Sequence, residues 1–134
     1  MSQTHALQIA VALAGLVPVS AGLTGALWPD LFFASIRPGG LTHAAYLSGL
    51  LLGIGLCFWS LVPTIQRQRR AFGLLTAIVF LGGLARLLLA ARLGLWGPSV
   101  LLPLVMELAV TPALWAWQRR ISRNTPSSSL STPE

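Results

Sequence analysis

The sequence predicts an all-α protein, an integral membrane up-down four-helix bundle, and three observations carry that reading. The 134 residues are 54% hydrophobic and only 9% charged, too few charges to cover a soluble domain of this size. Mean hydropathy is +0.74, and the apolar residues gather into four runs, each able to cross about 30 Å of hydrocarbon as a helix. Two short arginine clusters, one after the second run and one after the fourth, mark the edge of a bilayer. One transmembrane domain, residues 1–123, is expected, followed by a disordered cytoplasmic tail.

The first run, residues 6–27, gives roughly 33 Å of helix at ~1.5 Å per residue. The segment before it has no lysine or arginine, and the run exceeds the apolar core of a secretion signal, so a retained span is expected. Pro18 should kink it, while Gly15, Gly22 and Gly25 offer close packing positions. Residues 28–41 form the longest connection. Pro29 and Asp30 can start a short interfacial helix with Leu31, Phe32, Phe33 and Ile36 dipping into lipid and Arg37 outside; Pro38-Gly39-Gly40 should end it.

The second run, 42–65, contains Gly49 and Gly53, a small-xxx-small spacing expected to receive a neighbouring helix. Its glycines do not make a phosphate loop, because no strand precedes them and no Lys-Ser/Thr follows. The tight basic turn Gln66-Arg67-Gln68-Arg69-Arg70 leads into the third run, 71–93, with Arg92 near its end. The turn at Gly94-Leu95-Trp96-Gly97-Pro98 leads into the fourth, 99–117. The remainder, 124–134, is rich in Ser, Thr and Pro, the composition of a disordered tail.

Four crossings put both termini on one side, and that side collects Arg67, Arg69, Arg70, Arg119, Arg120 and Arg123. The other side has only Arg37 and Arg92, so the positive-inside rule places both termini in the cytoplasm. Trp28 and Trp96 then fall at the outer interface, and Trp59, Trp115 and Trp117 towards the inner one. This placement also disposes of the net charge of +6 as a nucleic-acid signature, since the arginines serve topology. The lipid bilayer is the expected partner, and no nucleic acid is.

Two ionisable residues lie where charge is costly: Arg86 in the third run and Glu107 in the fourth. Nine residues separate Arg86 from Leu95 and eight separate Ser99 from Glu107, so both sit roughly 12–13 Å below the same face. Antiparallel helices therefore bring them level. A charge at such depth costs on the order of 2.5–3.5 kcal/mol, and an arginine fork holding a carboxylate in a buried ion pair can offset much of it. Gly82, Gly83 and Ala90 make room beside Arg86; Pro103 and Thr111 share the Glu107 face. Pro103 and Pro112 each free a backbone carbonyl, around which polar groups can gather. The candidate polar centre comprises Arg86, Glu107, Thr111, Ser20, Tyr46 and His43. A pair that only docks two helices and a pair that touches a ligand both remain open.

Cys57 is the lone cysteine, so an internal disulfide is excluded. His5 and His43 are too far apart for a local metal motif, and no cofactor can be read from the residues.

The segments 45–56, 80–86 (with Gly82-Gly83-Leu84-Ala85-Arg86) and 107–112 resemble a bacterial family known as domain of unknown function 4345. Its layout is similar to that of the DoxX-like group of small four-helix membrane proteins. The resemblance covers the four spans and omits the tail. It implies a bacterial inner-membrane protein and supplies no reaction.

Two functions follow as expectations. The first is an accessory or assembly subunit docked on a larger membrane complex or on a second copy of itself. The alternative is a binder or transporter of a small molecule (a lipid, a quinone or a drug-like compound) with its polar centre at Arg86 and Glu107. An enzyme is disfavoured, because no second carboxylate, metal cluster or nucleophile–base pair accompanies Glu107.

Overall fold

The computed structural model describes residues 2–32 and 37–123. Ser2 caps the first helix, α1 (Gln3–Leu27), its hydroxyl accepting from the His5 amide. α1 runs unbroken across Pro18. A four-residue helix, α2 (Pro29–Phe32), follows where the Pro-Asp signal predicts a start; Phe33 and Ile36 of the expected interfacial face lie outside the described residues. α3 (Pro38–Leu61) begins before residue 42, because Pro38 at its first position has the fixed φ a helix start favours. Pro38-Gly39-Gly40 thus opens the second span instead of closing the connection before it. A 3-10 turn, Val62–Thr64, ends that span, and α4 (Arg69–Leu93) starts inside the basic cluster. Gly94, at φ 67°, takes the left-handed conformation that closes α4.

The fourth span is not one regular helix. It comprises α5 (Pro98–Val105), a π-helical turn (Met106–Val110) and α6 (Thr111–Arg123). Pro112 supplies the cause: it has no N–H for the Leu108 carbonyl, and its ring would clash there. The wider turn relieves the conflict. Both the amide and the hydroxyl of Thr111 donate to the Met106 carbonyl, five residues back, the hydroxyl at 2.8 Å.

All four spans are long and apolar enough to cross a membrane, so this is a small multi-pass membrane protein in a four-helix arrangement. Large apolar side chains such as Leu13, Leu50, Leu74, Leu88 and Leu102 point outwards, towards lipid.

The helices pack as two antiparallel hairpins, α1 with α3 and α4 with α5–α6. They meet chiefly through α1 against α6 and α3 against α4. The core bridges the two hairpins. Leu7, Val11, Phe58, Ile65, Phe72 and Ile121 form one cluster at the basic end of the bundle, where Phe58 and Phe72 stack edge to face at 5.2 Å. Lipid tails are as apolar as leucine, so burial alone holds membrane helices together weakly, and close contacts and polar bonds matter more. Both are present. Gln8 Nε2 donates to the Val62 carbonyl at 2.9 Å, Gln118 Nε2 donates to the Ile65 carbonyl, and Gln66 donates to Thr4 Oγ1. These amides clasp the turn between the second and third spans.

Close approach uses glycines other than the expected pair. A Cβ on Gly22 would lie 2.8 Å from the Ser48 carbonyl oxygen, and one on Gly55 would lie 2.6 Å from Val19 Cγ2. Gly49 and Gly53 are exposed and a Cβ added at either would meet no atom within 4 Å, so among the described residues their spacing does not serve a helix contact.

Candidate functional site

Arg86 and Glu107 find each other as their depths require. Arg86 Nε donates to Glu107 Oε2 at 3.1 Å and Nη2 donates to Oε1 at 3.0 Å, a two-pronged contact between α4 and the π turn. Gly83 makes the contact possible. It lies one turn before Arg86, and a Cβ there would come within 2.8 Å of Glu107 Cβ and of Leu108 Cδ2. Only a glycine lets the two backbones come this near.

The expected burial of the pair is not what forms. The Glu107 side chain is 17% exposed and that of Arg86 is 44% exposed, so the guanidinium lies at the edge of the bundle. The physical reason is the position of the core: its buried cluster lies at the basic end of the bundle, around Phe72, away from the depth of Arg86. The bond geometry compensates one charge with the other, while the pair as a whole is not enclosed by protein.

Below the pair lies a cavity of about 280 Å³, to which all four spans contribute. Ala14, Gly15 and Pro18 come from α1, and Leu51, Ile54 and Phe58 from α3. α4 gives Phe72, Ile78, Val79 and Gly82, and the fourth span gives Pro103, Met106, Glu107, Thr111 and Leu114. Its volume falls near the lower end of small-molecule sites, typically ~300–1,000 Å³. Among the described residues the side chains of the wall are apolar except at Glu107 and Thr111.

The structure therefore joins three of the six residues of the expected centre. Arg86 binds Glu107, and Glu107 and Thr111 line the cavity. Ser20 is exposed and spends its hydroxyl on the Val17 carbonyl of its own helix, at 3.2 Å. Tyr46 is 63% exposed, and His43 is exposed three residues before it on α3. Neither lines the cavity. The helix face, which decides contact, leaves these three outside.

Sequence reasoning did not select Pro103, Met106 or the α1 wall as parts of one chamber. The only available signal was indirect: Pro18, Pro103 and Pro112 fall on facing spans, and prolines displace the packing of neighbouring helices. The clasping role of Gln8 and Gln118 was also unread. Gln118 is 1% exposed, although it adjoins the basic cluster at the membrane edge.

The arrangement supplies a paired carboxylate on the wall of an apolar chamber, beside a hydroxyl. No curated protein and no solved structure shows a match to this chain. A family model does match, over residues 6–118, and the chain belongs to the family described as domain of unknown function DUF4345.

Proposed function

We propose that the protein binds a small lipophilic molecule in the cavity between its two helical hairpins, with Glu107 and Thr111 as the polar contacts. The supporting observation is the cavity itself, whose described lining is apolar except at the Arg86-paired carboxylate of Glu107 and the hydroxyl of Thr111. Intramembrane ionisable residues commonly mark ligand or ion sites, and a chamber beside one gives that tendency a place to act. In this reading the protein resides in a bacterial inner membrane with both termini cytoplasmic, the orientation that the six arginines at the basic end favour.

A second reading, an accessory subunit or homo-oligomer, has one observation of its own. Gly49 and Gly53 leave open space on the outer face of α3, flanked by exposed Tyr46, Leu50 and Leu56. A helix from another chain would fit against such a face.

Gentle purification from the native membrane, followed by mass spectrometry of what remains bound, separates the two. The expected result is a lipophilic molecule in near-stoichiometric amount, lost from a folded Glu107→Gln variant. Co-purifying protein with an empty cavity would overturn the binding reading in favour of the subunit.

A further inference from the structure

We infer that the cavity's ligand presents a neutral hydrogen-bond donor, a hydroxyl, rather than a carbonyl, an anion or an ammonium. The inference rests on the binding reading above and adds the chemistry of the ligand's polar group. Among the described side chains lining the cavity, only Glu107 and Thr111 carry nitrogen or oxygen. Both have lone pairs to offer and neither has a free hydrogen. Each carboxylate oxygen of Glu107 accepts one bond from Arg86, at 3.1 and 3.0 Å, and retains capacity for another. The single hydroxyl hydrogen of Thr111 is committed to the Met106 carbonyl at 2.8 Å, so its oxygen faces any guest as an acceptor.

The backbone adds to the same sign. Helical amides are spent within their own helices, and Pro18 and Pro103 have none to offer. Pro18 also withholds the amide that would pair with the Ala14 carbonyl, and Ala14 lines the cavity as well. Arg86, the donor that holds Glu107, is not among the described lining residues.

Each ligand class meets this wall differently. A ketone or quinone oxygen would face acceptors alone and forfeit its hydrogen bond on entry. An anion would meet acceptors alone and add uncompensated negative charge beside a pair already neutral. An ammonium would add a positive charge to a pair already neutral, leaving that charge uncompensated in an apolar chamber. A hydroxyl donates to Glu107 or Thr111 with no change in net charge, and a bond to a charged acceptor favours binding by about 10-fold to 100-fold.

The test compares para-hexylphenol with its methyl ether, para-hexylanisole, which keeps the shape and loses the donor. Binding is measured by calorimetry on the full chain in lipid nanodiscs, with empty nanodiscs subtracted. Gly82→Leu, which should fill the cavity from α4, serves as the site control, with Val79→Phe in its place if that variant does not fold. The expected result is a phenol at least about 10-fold tighter than the ether, displaced in the filled variant. Equal binding of the two, lost on filling, would overturn the donor requirement and leave the cavity reading standing. Binding of neither, or binding unaffected by filling, would overturn both.

Discussion

At the scale of single residues, Arg86 meets its cost by geometry rather than enclosure. A guanidinium at mid-depth is tolerable when its fork is filled, and both prongs here are filled by one carboxylate at 3.0–3.1 Å. That match depends on an atom that is absent, the Cβ of Gly83. Gly83→Val should force Glu107 and Leu108 away, costing ~1–3 kcal/mol as overpacking does, plus part of the pair. Unfolding in a denaturing-detergent titration would register this as an early transition; a variant that unfolds with the parent would mean the close approach has no energetic weight. The pairing was legible in the sequence, because it needed only a fixed rise per residue and two counts to a shared turn. The exposure of Arg86 was not, because it depends on where along the bundle the core forms.

At the scale of elements, the glycines sort into those that carry a contact and those that do not. Gly22 faces the α3 backbone at Ser48 and Leu52, where no side chain fits. Gly53 faces open space. Gly22→Val should therefore destabilise the first hairpin by about 1–3 kcal/mol, while Gly53→Val leaves monomer stability unchanged, both read from thermal melts in detergent. A reversed order would show that the helix faces are misassigned. The sequence displayed both sets of glycines equally, and its small-xxx-small spacing pointed to the pair that makes no internal contact. Spacing reports that small residues share a face; it carries no information on which face a neighbour takes. The span boundaries show the same limit in milder form. Pro38 was read as a stop and acts as a start, since proline's missing N–H and fixed φ suit either role until the direction of the following chain is known. The π turn around Glu107 was foreshadowed only as a disturbance near Pro112.

At the scale of the whole molecule, two hairpins share a core at their basic ends around Phe72, and all four spans line a cavity that reaches from Phe72 to Glu107. The four crossings and the all-helical class were legible because apolar length and arginine placement are one-dimensional signals. The cavity was not, because it arises from the sum of proline and glycine positions on four helices. The central claim is that Arg86 and Glu107 stabilise the second hairpin as a unit, at the wall of that cavity. A double-mutant cycle of Arg86→Leu and Glu107→Gln, with unfolding free energies measured in detergent, addresses it directly. Each single change should cost on the order of 2–3 kcal/mol by stranding its partner in an apolar setting. The double variant should recover much of that loss, giving a coupling energy of about 1–3 kcal/mol. Additive single effects, or single variants that unfold like the parent, would contradict the claim.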